Sequence, residues 1–195
     1  FRGDWLAVLN SQMEQVWAKD NALVYRTRPD RTPLPTQPDI LINATLGGAI
    51  KLIGYTLQLT DSRPQTSNSA AQASNLEAQN TQPETRYVEL KLTFFWQSLR
   101  PVSVDYTTFL HLRNRHGLTV AQRDSQPLDG AYPTSHWQPG ETVIDPITLP
   151  LAESLPAGTY TLVAGLYQLD TLERLTVAND PSGENIILLG EITLP

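Results

Sequence analysis

Polar and apolar residues alternate along most of the chain after residue 40, which is the pattern of half-buried strands. The clearest run is residues 88–97, where Val, Leu, Leu, Phe and Trp fall on one face and Glu, Lys, Thr, Phe and Gln on the other. This alternation predicts an antiparallel strand with one face in a core. Shorter runs of the same kind occupy residues 50–59, 106–112, 118–123, 142–149, 159–167 and 186–194.

Turn-forming sequences rich in Gly, Pro and Asp separate these runs, at residues 115–117, 138–140, 155–158 and 180–183. Many short strands with no helix between them predict an all-β fold, an antiparallel sandwich or barrel. Gly158-Thr159-Tyr160 favours the immunoglobulin type, in which a tyrosine at the start of a late strand bonds to upstream backbone. We therefore predict an immunoglobulin-like antiparallel β-sandwich over residues 40–195, with Tyr160 as a core tyrosine whose hydroxyl is satisfied.

Residues 1–27 have a different period, which predicts a short N-terminal amphipathic helix and lead-in. Asp4 is suited to cap such a helix, and Asp20-Asn21 to end it. The helix could pack on the edge of the domain or lie at a membrane surface, and its few Lys and Arg residues favour the first placement. The apolar face comprises Trp5, Leu6, Leu9, Met13, Val16 and Trp17.

Two other segments interrupt the strand pattern. Residues 28–39 contain four prolines, which are typical of an extended tether and incompatible with a helix. Residues 61–85 contain no aromatic residue and only one large aliphatic residue, Leu76, so they bury too little to offset their ordering entropy. We interpret 28–39 as a tether and 61–85 as a polar loop inserted between two strands.

Composition excludes several classes of protein. The 195 residues are 40% apolar and carry a net charge of −6 without a basic stripe, which disfavours binding to nucleic acid. The absence of cysteine excludes a disulfide scaffold, a cysteine-ligated zinc site and a thiol nucleophile. No apolar run reaches the roughly 20 residues of a membrane helix. Because the chain starts at Phe1 with neither Met nor a signal-peptide pattern, we expect a fragment or a processed product.

The residues suited to catalysis are few. Ser135, His136 and a nearby aspartate allow a Ser-His-Asp set by arithmetic, but the sequence has no Gly-x-Ser-x-Gly elbow. Asp124 and Asp129 could offer oxygens to calcium, although both are simpler as turn residues. We therefore expect no catalytic residues, no cofactor and no metal site.

The segment from Gln122 to Glu141 is long, aromatic and stiffened by proline, as functional loops of sandwiches often are. In one hypothesis, exposed Tyr132 and Trp137 rings form a platform on which a saccharide stacks. Its polar partners would be Gln122, Asp124 and His136. In the other hypothesis, which we favour, the loop covers an open end of the sandwich and buries both rings.

Seven segments also occur in an order that resembles a known module. Together they are similar to the soluble β-sandwich that follows the membrane helices of some bacterial polytopic glycosyltransferase-like proteins, in the mannosyltransferase superfamily that uses lipid-linked sugars. The resemblance covers roughly residue 46 to the end, and its most specific part is Tyr-Pro-Thr-x-x-Trp-x-Pro-Gly-Glu at 132–141. The other segments are Leu-Ile-Gly-Tyr at 52–55, Phe-Phe-Trp at 94–96, Asp-Tyr-Thr-Thr-Phe-Leu-His-Leu at 105–112, Ala-Gln-Arg-Asp at 121–124, Leu-Pro-Ala-Gly-Thr-Tyr at 155–160 and Gly-Leu-Tyr at 165–167.

The resemblance implies that the module lies outside the cytoplasmic membrane and that the catalytic acids belong to membrane-proximal loops absent from this chain. The expected function is thus a non-catalytic extracytoplasmic accessory module, structural or interacting, whose partner is a membrane domain. The alternative is a carbohydrate-binding module that uses the 122–141 loop.

Overall fold

The computed structural model describes residues 13–19, 22–27, 34–62 and 87–194, with side chains for 34–60 and 88–194. Within these ranges the chain forms ten strands and two short 3-10 helices, at Pro127–Gly130 and Thr134–His136. The strands are β1 Met13–Lys19, β2 Ala22–Thr27, β3 Ile40–Leu46, β4 Ile50–Ser62, β5 Tyr87–Ser98, β6 Tyr106–Arg113, β7 Thr119–Ser125, β8 Thr142–Leu151, β9 Gly158–Gln168 and β10 Ile187–Leu194.

Eight of the strands form two four-stranded antiparallel sheets, in the orders β3-β4-β5-β8 and β10-β9-β6-β7. The all-β class predicted from alternation is confirmed, as are strands at all seven predicted runs. Strand β3 was not predicted. Its alternation is broken by a bulge at Asn43, which takes a left-handed φ of 59°.

The predicted N-terminal helix is wrong over its described part, because β1 and β2 pair as antiparallel strands from Lys19↔Ala22 to Met13↔Thr27. The remainder of the predicted helix, residues 1–12, lies outside the described residues. A bulge between Gln15 and Trp17 disturbs the period of two in β1. The spacing of the apolar residues in this segment also fits a helix, since a short apolar run is compatible with both the strand period and the helix period.

The predicted tether and insert are described only at their ends. Residues 34–39 have no regular secondary structure, and residues 28–33 lie outside the described range. Pro38 and Ile40 both approach Gly54 of β4 closely: a Cβ placed on Gly54 would meet the Ile40 carbonyl oxygen and would lie 2.9 Å from the Pro38 Cβ. Of the predicted insert, residues 61 and 62 belong to β4, and the pairing of β4 with β5 continues to Ser62↔Tyr87. Residues 63–86 lie outside the described range.

The core lies between the two sheets, where alternate residues of each strand meet. On β5 the inward residues are Leu90, Leu92, Phe94 and Trp96, as the alternation predicts. The Tyr55 hydroxyl donates a buried hydrogen bond of 2.8 Å to the Leu189 carbonyl, which joins β4 to β10 across the sandwich. The opposite core face comes from Leu110, Leu112, Tyr160, Leu162, Ala164, Leu166, Ile187 and Leu189.

Candidate functional site

The structure separates the five predicted ligand-binding residues into two groups. Gln122 and Asp124 lie on strand β7, where both are exposed. Tyr132, His136 and Trp137 lie in the loop that connects β7 to β8 and contains both 3-10 helices. The predicted saccharide platform is therefore divided between two elements: Gln122 and Asp124 are on a strand, and the two aromatic residues and His136 are in the loop that follows it.

Trp137 is part of the core. Its side chain is only 2% exposed and belongs to the same apolar cluster as the inward residues of both sheets. The indole Nε1 donates a hydrogen bond of 3.1 Å to the Tyr132 carbonyl, which satisfies the polar atom of the ring inside the protein. The prediction that the loop buries this ring is confirmed, and the ring offers no face for stacking a ligand.

Tyr132 is half-buried and tied to its own loop. Its hydroxyl donates to Glu141, whose two carboxylate oxygens each lie 3.1 Å away. Burial, together with the neighbouring Glu141 carboxylate, raises the pKa of the Tyr132 hydroxyl to about 12. The ring meets the exposed His136 edge-on, with centroids 6.4 Å apart. The expectation that both rings are fully buried is thus right for Trp137 and only partly right for Tyr132.

Hydrogen bonds fasten this loop to the start of β6. The Thr134 hydroxyl is fully buried, donates to the Val104 carbonyl at 2.6 Å and accepts from the Tyr106 amide at 2.9 Å. The Ser135 amide donates to the Asp105 carboxylate at 3.1 Å. Because these bonds hold backbone as well as side chains, the loop forms a packed cover over one end of the sandwich.

A buried carboxyl, that of Asp145 on β8, supports the same loop from below. It is 1% exposed, and its Oδ1 accepts a 2.8 Å hydrogen bond from the Leu128 amide. Leu128 and Asp129 both take left-handed φ angles, 54° and 52°, so this bond holds an unfavourable backbone conformation. Burial raises the pKa of Asp145 to about 7. The Trp96 indole opposes that shift, although neither its Nε1 nor Asp145 Oδ2 has a well-formed hydrogen bond.

Asp145 is a residue that the sequence interpretation missed. It occupies an inward position of the β8 alternation, between Val143 and Ile147. The sequence signal for this residue was a single carboxylate at a position that the alternation assigns to the core. A buried polar group needs a specific partner, so such a residue indicates a specific interaction.

Asp124 lies on the outer face of the other sheet, among residues from three strands. Strand register places Phe109 of β6 opposite both Asp124 of β7 and Gly165 of β9. Beyond the end of β9, Arg174 forms a bridge with Tyr167, so their side chains point to the same face. These neighbours line a cavity of about 190 Å³, formed by Phe109, His111, Asp124, Tyr167, Leu172 and Arg174.

Close contacts order this cluster. The Arg174 guanidinium lies 4.8 Å from the centroid of the Phe109 ring, and its Nη1 donates to the Glu184 carbonyl at 2.9 Å. Burial raises the pKa of the Tyr167 hydroxyl, and the neighbouring Asp124 carboxylate raises it further. The side chains are therefore positioned by one another as well as by the sheet.

His111 completes the cluster. Its Nε2 lies 3.5 Å from Asp124 Oδ1, and neither ring nitrogen has a well-formed hydrogen bond among the described residues. Burial lowers the pKa of His111, and the positive charges of Arg174 and Arg113 lower it further, against the opposing effect of Asp124. The imidazole is thus neutral at pH 7 and half-buried. Of the residues in this cluster, only Asp124 was among the predicted ligand-binding residues.

The other predicted chemistry is not brought together. Asp124 faces His111, while Asp129 forms a 2.9 Å ion pair with Arg123. Gln122 pairs with His111 in the ladder and is exposed beside the cluster. Within the described ranges, no three His, Asp or Glu side chains are grouped so that they could hold a metal ion.

No family model matches the chain, and no curated protein matches it. Among the described residues, none of the helical segments is long and apolar enough to cross a membrane.

Proposed function

We propose that this chain is an immunoglobulin-like β-sandwich that serves as a non-catalytic accessory module. Strands β4, β5 and β8 correspond to strands A, B and E of such domains, and β6, β7, β9 and β10 to C, C′, F and G. In this correspondence β3 is an additional edge strand beside A. The order of neighbours then agrees with the immunoglobulin arrangement, except that no described strand corresponds to D beside β8.

A hydrogen bond at the start of β9 supports the same assignment. The Tyr160 hydroxyl donates to the Pro156 carbonyl, four residues upstream, at 2.7 Å. This is the geometry of the tyrosine corner, which lies at the start of strand F in these domains. Tyr160 itself is buried, as a core tyrosine with a satisfied hydroxyl should be.

The observation that carries the accessory role is the state of the 122–141 loop. It contains one of the two longest described connections between strands of the sandwich, yet its most prominent aromatic residue, Trp137, is buried. Its hydroxyls and carboxylates bond to neighbouring backbone, as at Thr134 and Glu141. Because the polar groups of this loop are bonded within the protein, they support a scaffold or docking role for the module and not ligand recognition by the loop.

The resemblance to the extracytoplasmic part of membrane glycosyltransferase-like proteins supplies the proposed setting. In that setting the module lies outside the cytoplasmic membrane beside a membrane domain of the same protein, which is its partner. The test is to express the complete gene in its host with a C-terminal epitope tag and to fractionate the cells. The tag should follow the membranes and be cleaved by protease added to intact spheroplasts. A tag in the soluble cytoplasmic fraction would contradict the proposal.

The non-catalytic part of the proposal has its own assay. The purified chain should not turn over generic ester, peptide or glycoside substrates above the rate of a heat-denatured sample. Turnover that disappears in His136→Ala would contradict it, because His136 is the histidine closest in sequence to a serine and two aspartates.

A further inference from the structure

We propose that the cavity lined by Phe109, His111, Asp124, Tyr167, Leu172 and Arg174 binds a neutral polyhydroxylated ligand, one sugar unit, through adjacent hydroxyl groups. This site is on the outer face of the β6-β7-β9 sheet, not in the 122–141 loop. It adds a ligand to the proposed accessory module and does not depend on how the module is attached to a membrane.

The first argument for a neutral ligand is the balance of charge in the cavity. Arg174 is a planar donor, and Asp124 is a planar acceptor. The neutral His111 adds no net charge, so the pair leaves the site electrically balanced. A ligand with a net charge would be attracted by one member of the pair and repelled by the other, so the pair gives it no net electrostatic advantage. A hydroxyl group can donate to a carboxylate and accept from a guanidinium, and two neighbouring hydroxyls can do so together.

The existing hydrogen bonds leave capacity for such a ligand. A carboxylate offers about four lone-pair sites, and Asp124 has Tyr167 and His111 as its neighbours. Within the described part of the chain, Nη1 is the guanidinium nitrogen of Arg174 that donates a bond, to the Glu184 carbonyl. Both planar groups are thus already oriented while further acceptor and donor positions remain, and this preorganisation reduces the entropy that binding costs.

Size and shape agree with this ligand. The cavity of about 190 Å³ is smaller than a typical drug-binding pocket and holds the volume of about six water molecules. Its apolar surface comes from the Tyr167 ring and from Leu172, whose side chain is 70% exposed at the rim. One ring with an apolar C–H face and polar edges fits this combination of surfaces.

His111 is a half-buried neighbour of Asp124 in this site. Its ring contacts the Phe109 ring at a centroid distance of 5.0 Å, and its Nε2 faces Asp124. Both of its nitrogen atoms are buried, so they do not reach the ligand.

The test is an NMR titration of the isotope-labelled full chain with methyl glycosides of glucose, mannose and galactose, and with alanine as a zwitterionic probe. At least one glycoside should shift the backbone amides of residues 109–111, 122–124 and 166–174 with saturation in the millimolar range. Asp124→Asn should weaken this binding at least tenfold, and Arg174→Lys should do so because it removes the planar fork. The matched control is Asp129→Asn, an exposed carboxylate outside the cavity, which should bind as the wild type does.

Three results would overturn the proposal. In the first, no glycoside shifts the amides of the cavity. In the second, the shifts are confined to residues 131–138 or persist unchanged in a folded Asp124→Asn variant. In the third, alanine binds more tightly than every glycoside, which would assign the pair to a zwitterion.

Discussion

At the scale of single residues, the burial of Trp137 decides between the two hypotheses for the 122–141 loop, a saccharide platform or a cover over the end of the sandwich. We expect Trp137→Ala to lower the free energy of unfolding by about 3–5 kcal/mol, because it leaves a large cavity in the core. Urea unfolding followed by circular dichroism measures this. Leu188→Ala is the control, since Leu188 is 62% exposed and its truncation should cost no more than about 0.5 kcal/mol. A Trp137→Ala loss as small as that of the control would mean that the indole is exposed in solution.

Asp145 gives the protein a specific dependence on pH. Its pKa is about 7 in the folded chain and near 3.9 when unfolded, so the folded state holds the proton more tightly. The stability from this group is fully present below about pH 4 and is lost as the pH rises through about 7. Relative to Asp145→Asn, the wild type should therefore lose on the order of 4 kcal/mol of unfolding free energy between pH 4 and pH 8.

The measurement is a series of urea unfolding curves across this range for both proteins. Asn keeps an acceptor for the Leu128 amide but turns a donor towards the Trp96 indole, so the variant also has a loss that does not vary with pH. The change with pH is thus the informative quantity. Asp170→Asn, at an exposed turn, should reproduce the wild-type profile. An Asp145→Asn profile parallel to the wild type would mean that Asp145 stays ionised.

The sequence could predict residues whose environment is set locally, and not those set by distant strands. Tyr160 was identified because its partner, Pro156, is four residues away in the same turn. Tyr167 and Arg174 were not associated with Asp124, because only the register of β6 against both β7 and β9 brings them together. The sequence placed Trp137 in a candidate functional loop, but whether its ring is exposed or buried depends on how the loop packs against the two sheets.

At the scale of elements, one glycine lets an aromatic ring lie on the sheet. A Cβ on Gly165 of β9 would lie 2.5 Å from Phe109 Cζ and 2.6 Å from Cε1. Gly165→Ala should therefore destabilise the protein by about 1–3 kcal/mol, although alanine is usually the better strand residue by roughly 0.5–1 kcal/mol. Thermal and urea unfolding measure the change.

A double-mutant cycle separates this clash from a general effect on β9. Phe109→Leu shortens the side chain, so the double variant should lose clearly less than the sum of the two single losses. Additive losses would show that the Phe109 ring does not occupy the space above Gly165. In that case Phe109 would also not line the proposed sugar-binding cavity as described.

Strand alternation predicted elements well where one face of a strand is in the core. Residues 88–97 became β5 with one further residue at each end, because both faces of this strand have unambiguous neighbours. Bulged strands were the failures. The bulge at Asn43 concealed β3, and the bulge after Gln15 made β1 resemble a helix. A bulge changes the face of every residue that follows it, which a fixed period does not describe.

At the scale of the whole molecule, the two sheets have different outer faces. The β6-β7-β9 face carries the charged and aromatic cluster around Arg174 and Asp124. The outer face of the other sheet includes Phe95, which points away from the core yet is only 2% exposed. Its ladder partner is Gly54, the residue that Pro38 crosses. Pro38, which precedes the predicted domain boundary at residue 40, therefore packs against this sheet.

This arrangement predicts that the start of the stable domain lies between residues 34 and 38. A variant that begins at residue 34 should unfold within about 0.5 kcal/mol of the full chain, because it retains Pro38 and the half-buried Leu34. A variant that begins at residue 40 should lose about 1–2 kcal/mol, since Phe95 and the backbone around Gly54 become accessible to water. Urea unfolding of the three proteins measures both differences, and Pro38→Gly in the full chain tests the contact itself. Equal stability of the two truncated variants would mean that something other than Pro38 covers Phe95. A large loss already at residue 34 would mean that residues 1–33 stabilise the sandwich.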